Sequence, residues 1–288
     1  MNKFLVKLSR IIPDKVYLKA LSKRRLGYVI NFHDPRTFNE KLNWLKLYDR
    51  KKMYTEMVDK CDAKKYVSNI IGDEYIIDNY GVWNSFDDIN FEELPNQFVL
   101  KCTHDSGGLV ICRNKEDFDI DYAKQKIASS LKRNYFYGCR EWPYKNVKPR
   151  IIAERYLENE EGLGLIDYKF YCFDGEPKFL YISKGLENHS TASISFVTLD
   201  WHFAPYERSD FRPFESLPEK PKNFEKMIDL SKKLSKGIPF LRVDLYEVGQ
   251  HIYFSELTFT PCGGFMPFKS IEHDIELGHL IRLPKKEK

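Results

Sequence analysis

The 288-residue chain has no apolar run approaching the ~20 residues that a bilayer span requires. Its N-terminus also lacks a long apolar segment followed by a small-residue cleavage site, so the expectation is a protein neither exported nor membrane-spanning. Six cysteines are present (Cys61, Cys102, Cys112, Cys139, Cys172 and Cys262), yet none form a Cys-x-x-Cys pair. That scatter argues against a zinc site or disulfide frame and for buried thiols in a reducing compartment, the cytoplasm by default. An excess of one charge is missing too. With 46 Lys+Arg against 42 Asp+Glu the net charge is +4, too small and too interspersed for a dedicated nucleic-acid binder. Neither an internal repeat nor a low-complexity tract occurs, and the length suits two or three lobes with a sizeable core.

What is there begins with a basic stretch. Residues 1–25 carry eight Lys or Arg against Asp14 alone, with Phe4, Leu5, Leu8, Ile11 and Ile12 at helical spacing. Such a segment can rest weakly on anionic lipid at the inner face of a membrane, or pack its apolar stripe onto the body of the protein; Pro13 interrupts the pattern and favours packing. Thr37 followed by Glu40 forms a capping box before an apolar periodicity, which predicts a helix over 37–66. Strands are expected at 75–83, 97–102, 109–113 and 150–157, with a helix over 121–136. Beyond the Pro143 and Pro149 breaks come strands at 167–173 and 177–184 joined by Asp174-Gly175, a helix over 222–236, and a final strand pair. The fold class is α+β.

The chemistry concentrates in that final pair, Arg242-Val243-Asp244-Leu245-Tyr246 and Ile252-Tyr253-Phe254-Ser255-Glu256-Leu257-Thr258. Alternation with a period of two puts Arg242 and Asp244 on one strand face and Glu256 and Thr258 on one face of the next, so two carboxylates can converge on a hard cation. A salt-bridge ladder on a solvated sheet would show the same pattern. Lys169 lies opposite Tyr168 and Phe170 on its strand, which also suits a solvated lysine. Lys101 ends a strand just before Thr103-His104-Asp105-Ser106-Gly107-Gly108, where Gly107 and Gly108 leave room for phosphate oxygens beside backbone N–H groups, although a Gly-Gly hairpin is a common turn. Glu154-Arg155-Tyr156-Leu157 ends a strand able to offer its backbone to an adenine edge, or to serve as an ordinary edge strand. Arg140, Trp142, Tyr144 and Lys145 suit either a path for an anionic sugar or a Pro-stiffened aromatic corner.

Taken in order, these groups resemble those of ATP-grasp enzymes. More narrowly, Thr37-Phe38-Asn39-Glu40-Lys41-Leu42-Asn43-Trp44, Leu94-Pro95-Asn96-Gln97-Phe98-Val99-Leu100-Lys101, Arg140-Glu141-Trp142-Pro143-Tyr144 and Glu256-Leu257-Thr258-Phe259-Thr260-Pro261 look like the TupA-like (teichuronopeptide biosynthesis) ATP-grasp family of bacterial surface-polysaccharide gene clusters. The resemblance runs from about residue 30 to the C-terminus. It implies an N-terminal helical region (1–90), a mobile central lid lobe (91–155) and a C-terminal antiparallel-sheet lobe (156–288) that holds the metal. It further implies that Lys101 and Lys169 contact nucleotide phosphates, Ser106, Gly107 and Gly108 the outer phosphates, and Glu154, Arg155, Tyr156 and Leu157 the adenine. Asp244, Glu256 and Thr258 would hold Mg²⁺, with Thr258 standing where the family pattern usually has Asn.

The activity implied is an ATP-dependent carboxylate–amine ligase that works through an acyl phosphate, with Arg242 and Lys169 stabilising the transferred group. Its substrates would be an amino acid or amine and a uronic acid or other carboxylate of a surface glycan or its precursor. One rival is a glycosyltransferase binding a sugar nucleotide at Asp244 and Glu256, but no Asp-x-Asp pair stands among the site residues and such an enzyme has no need of the Lys101 glycine loop. A second rival is a nucleotide-gated scaffold that binds ATP without turnover.

Overall fold

The structure, a computed structural model, describes residues 10–158, 165–185 and 192–286. Phe4, Leu5 and Leu8 of the basic stretch lie outside the described residues. Its described part becomes helix α1 (Asp14–Leu26), started after Pro13 and carrying Lys23, Arg24 and Arg25 in the last turn, where the helix dipole favours cations. Leu18 and Leu21 are buried, so this helix packs its apolar residues inward.

The capping box at Thr37 forms as read. The Thr37 hydroxyl accepts from the Glu40 N–H at 3.1 Å, and the Glu40 carboxylate accepts from the Thr37 N–H at 3.2 Å, starting α2 (Phe38–Tyr48). The single helix expected over 37–66 is a correction, because the chain forms three: α2, α3 (Met53–Val58) and α4 (Asp62–Ile71). Asp59 explains the second break. Its carboxylate accepts the N–H groups of Cys61 (2.8 Å) and Asp62 (3.3 Å), an alternative to helix continuation, and takes Arg150 at 2.9 Å. That ion pair fastens α3 and α4 to the first sheet.

The first sheet contains β1 (Asn79–Trp83), β2 (Phe98–Cys102), β3 (Leu109–Cys112) and β4 (Ile151–Arg155), antiparallel in the order β1-β4-β2-β3. Strand β1 is shorter than the 75–83 run, since Asp73–Tyr75 is a 3-10 turn. Helix α5 (Ile120–Leu131) buries Ala123 and Ile127 against Phe98, Leu100 and Ile151, and the short α6 (Phe136–Cys139) follows.

The second sheet contains β5 (Ile166–Phe173), β6 (Glu176–Lys184), β7 (Ser193–Thr198), β8 (Phe240–Val248) and β9 (His251–Thr258) in the order β7-β6-β5-β8-β9. Asp174 and Gly175 make the tight β5–β6 turn with φ of +49° and +83°, the positive values that a two-residue hairpin loop requires. One face packs Phe170, Cys172, Val243 and Leu245 against Val67 of α4 and Met227 of α7 (Phe224–Ser235). The opposite face packs Tyr171, Phe173 and Phe240 against Leu18, Phe38 and Leu277 of α8 (Ile271–Leu280). Fully burying one such side chain stabilises by about 1.5–3 kcal/mol, so a one-residue slip that exchanged the faces would be prohibitive. The register is thereby fixed, and it puts Lys169, Arg242 and Asp244 on the second face.

Candidate active site

Register brings the charged residues together. Asp244 pairs with Lys169 on β5 and with Glu256 on β9, while Arg242 pairs with Thr258. A bulge at Ser255 accomplishes this on β9: Asp244 opposes Glu256, but Leu245 opposes Phe254. Strict alternation would have put Phe254 and Glu256 on the same side; the extra residue sends Phe254 into the core and Glu256 to the polar face.

Arg242 is the hub. Its Nε and Nη2 donate to Asp244 Oδ1 (2.7 Å) and Oδ2 (2.6 Å), and Nη2 also reaches Glu256 Oε1 (2.8 Å) and Thr258 Oγ1 (3.0 Å). Lys169 Nζ lies 2.8 Å from Asp167 and 3.2 Å from Asp244. The solvated-ladder and solvated-lysine alternatives do not describe these groups, because the side chain of Asp244 is 0% exposed and that of Lys169 8%. Burial alone would depress Lys169, but Asp167 and Asp244 outweigh it and hold the amine well above its ordinary range. Burial would likewise raise Glu256, yet Arg242, Lys60 and Lys169 bring it down to about 2, so it is ionised at neutral pH. For Asp244, burial prevails over Arg242 and Lys169 and the shift is upward.

Glu256 remains 35% exposed, and it opens with Arg242 and Thr258 onto a cleft of about 820 Å³. Ser106 and Gly107 line the same cleft, and Ser106 Oγ lies 2.9 Å from the Tyr135 hydroxyl. Gly108 stands behind it. Its N–H is donated to Asp105 Oδ1 at 3.0 Å, and a Cβ there would lie 2.6 Å from Cys102 Sγ, so Gly108 is required for packing and its N–H is already spent. Lys101 turns away from the cleft to pair with Glu154, which also takes Lys64 at 2.7 Å. Burial would raise Glu154, but Lys101 and Lys64 prevail and hold it at about 2. What remains available at that strand end is backbone. Beyond it Arg155 donates to the Tyr253 hydroxyl (2.6 Å), the Tyr156 hydroxyl accepts from Arg113 (3.2 Å), and Leu157 is buried.

Several contributors were not legible locally. Lys60 donates to the Asp105 carbonyl and acts on Glu256, Lys64 completes the Glu154 cluster, and Asp167 holds Lys169. They come from segments whose proximity only the fold creates. The aromatic corner divides: Arg140 is buried on the Tyr17 ring (4.1 Å) with Asp14 at 2.9 Å, and Trp142 packs into the core, whereas Tyr144 lines the cleft. Asp117, Asp119 and Asp121 are spaced Asp-x-Asp-x-Asp, but Asp119 caps α5 through the Tyr122 N–H (2.8 Å) and Asp117 accepts from Asn114 (2.8 Å), away from this site.

A model of TupA-like ATP-grasp proteins matches residues 40–282. The chain belongs to the TupA-like ATP-grasp family. Its helices and two antiparallel sheets are accordingly an ATP-grasp fold. Solved structures similar to this family member include a D-alanine–D-alanine ligase from Bacillus anthracis complexed with ATP, at 15% identity and a TM-score of 0.40 over 76% of this chain and 57% of that one. A D-alanine–D-alanine ligase from Helicobacter pylori is similar at 13% identity and 0.44, over 85% and 69%. The ATP-grasp ligase PsnB, complexed with a precursor variant, Mg and ADP, is similar at 9% identity and 0.42, over 76% and 57%. The chain thus spans little more than half of two of these proteins. No curated protein matches it.

The donor set suits a hard divalent cation. Asp244 and Glu256 are directly opposed, Glu256 is ionised, and among the described residues its Oε2 carries no hydrogen bond. Glu256 Oε1 accepts from Arg242 and Thr258, and the Asp244 oxygens from Arg242 and Lys169, so those cations must share Asp244 with any metal.

Proposed function

We propose that this protein is an ATP-dependent carboxylate–amine ligase, joining an amino acid or amine to a uronic acid or other carboxylate of a bacterial surface polysaccharide or its precursor. The observation that carries the reading is the buried Lys169–Asp244–Arg242–Glu256 chain opening on a cleft whose other wall holds Ser106 and Gly107. Three carboxyl groups (Asp167, Asp244, Glu256) and two basic groups (Lys169, Arg242) meet there, with Lys60 acting on Glu256. The Glu256 carboxylate that faces the cleft suits a metal, and the buried cations suit phosphate oxygens.

Asp244 and Glu256, with Thr258, would hold magnesium, and Thr258 contributes a neutral hydroxyl. Bound there, the ion would neutralise phosphate charge so that an anionic carboxylate can approach the nucleotide. Lys169, fixed as a cation by Asp167 and Asp244, stabilises the transferring phosphoryl oxygens. Arg242 exchanges part of its hydrogen bonding for the acyl phosphate and for the oxyanion formed on amine attack. The Ser106–Gly107 segment covers the outer phosphates, and the backbone of Glu154–Leu157 receives the adenine, with Lys101 near that end. The six cysteines are free, in keeping with a reducing cytoplasm, and no described helix is long and apolar enough to cross a membrane.

The test is ADP release by the purified protein across paired amino acids and uronic-acid sugars with ATP and Mg²⁺. Release that requires both partners supports the reading. UDP release from a sugar nucleotide would instead indicate a transferase, and ATP binding without turnover in any mixture a scaffold. Asp244→Ala and Glu256→Ala should each abolish magnesium-dependent turnover, and unchanged magnesium dependence in both would remove the metal assignment.

A further inference from the structure

One buried acid in the cleft takes no part in the phosphate chemistry. Glu141, at the start of the 3-10 turn Trp142–Asn146, is 4% exposed and lines the same cleft as Glu256. The Thr260 hydroxyl, two residues beyond Thr258, donates to its Oε2. Its Oε1 has no hydrogen-bond partner among the described residues. The nearby buried Lys46 does not supply one, since Lys46 Nζ is engaged by Asn43 Oδ1 (2.9 Å), the Cys139 carbonyl (2.9 Å) and the Gly263 carbonyl. A carboxylate so buried with a single hydrogen bond is costly unless a partner arrives. The rings of Tyr135 and Tyr144 meet edge to face at 4.9 Å in the same cleft, and Tyr144 feels both the Glu256 and the Glu141 charge.

The free Glu141 oxygen is matched to a cation. The cleft also presents Arg25, Lys132, Arg133, Arg208 and Arg242, which suit the anionic groups of the other reactants; Lys46 and Arg25 act on Glu141, but among the described residues neither hydrogen-bonds to it. An ammonium placed at Glu141 Oε1 gains a charged acceptor beside the Tyr135 and Tyr144 rings. We propose that Glu141 is the binding and proton-accepting residue for the ammonium of the amine substrate, with Thr260 orienting its carboxylate. The substrate class is therefore a primary ammonium compound, such as the α-ammonium of an amino acid. The inference rests on the ligase reading.

The ammonium gives one proton to Glu141, and its freed lone pair attacks the acyl phosphate carbon. The C–N bond forms, the C–O bond to phosphate breaks with its electron pair leaving on phosphate, and the second nitrogen proton goes to that phosphate. Glu141 then releases its proton to water. Burial, only partly offset by Lys46 and Thr260, raises the Glu141 carboxyl, which makes it a better base than an exposed glutamate.

Glycinamide, a primary ammonium without a carboxylate, is the binding probe, titrated by calorimetry. It should bind the unaltered protein at least tenfold more tightly than acetamide, which lacks the ammonium, and Glu141→Gln should erase most of that difference. Gln retains an oxygen for Thr260, and comparing the two probes on the unaltered protein keeps the idea open to refutation even if the variant fails to fold. In turnover, Glu141→Gln should slow amide formation from ammonium nucleophiles about 10²-fold. Hydroxylamine, uncharged near neutral pH, should still be converted to hydroxamate within threefold of the unaltered rate. Equal binding of the two probes, equal glycinamide binding by the variant, or an equal loss with hydroxylamine overturns the proposal. Failure of the ligase reading shows separately, as absence of ADP release by the unaltered protein.

Discussion

Glu154→Gln tests whether the charge cluster behind strand β4 stabilises the first sheet. The Glu154 carboxylate is 5% exposed and bridges Lys64 and Lys101. Held at about 2 against an ordinary 4.5, it contributes about 3 kcal/mol at neutral pH, because each tenfold change in proton affinity is worth about 1.36 kcal/mol. Glutamine keeps the shape and removes the charge. Lys101, 22% exposed, can turn to water, and Lys64 keeps the Ile77 carbonyl and Asn79 Oδ1, both at 2.6 Å. The loss therefore falls at the low end of the roughly 3–5 kcal/mol typical of a broken buried pair. Urea denaturation at pH 7 should show about 3 kcal/mol, and the melting temperature should fall by roughly 6–12 °C. A folded-state value depressed below the unfolded one stabilises above the unfolded value and loses that contribution on acidification. The gap between the two proteins should thus be full above pH 4.5 and close as pH falls through about 2. A loss under about 1 kcal/mol at pH 7, or a gap unchanged between pH 6 and pH 3, would refute the reasoning.

Arg242→Ala leaves Asp244, Glu256 and Thr258 without their shared donor, and turnover measured as ADP release should fall on the order of 10²–10³-fold; a loss below fivefold removes Arg242 from the chemistry. Gly278→Ala in α8 would put a Cβ 2.1 Å from the Arg36 carbonyl oxygen and 2.7 Å from the Thr37 carbonyl carbon, both backbone atoms ahead of α2. It should cost roughly 1–3 kcal/mol or more in urea denaturation, and an unchanged midpoint would contradict this helix docking.

The α+β class, the capping box at Thr37, the Asp174–Gly175 hairpin and the convergence of Arg242, Asp244, Glu256 and Thr258 were legible because each depends on local spacing: a cap three residues long, a two-residue turn, a period of two. The break of the 37–66 run was not, since it turns on Asp59 accepting nearby N–H groups and on Arg150, a residue about 90 positions away. Neither was the state of Lys101 and Glu154, which the fold pairs with each other and with Lys64. Local pattern also gave no sign that Gly108 packs behind the cleft while Ser106 and Gly107 line it.

The sequence by itself determined which faces of the strands are apolar, and through that the register carrying Lys169, Arg242 and Asp244 to one side of a sheet. Only tertiary structure decided what meets them there. The Ser255 bulge lets Phe254 join Leu257 in the core while Glu256 still opposes Asp244, Lys60 arrives from the helical region, and Thr260 engages Glu141 across 119 residues of chain. The physical reason is range. Burial patterns repeat every two to four residues and can be read from a line of letters, whereas a charge finds its partner through contacts that exist only after distant segments have packed.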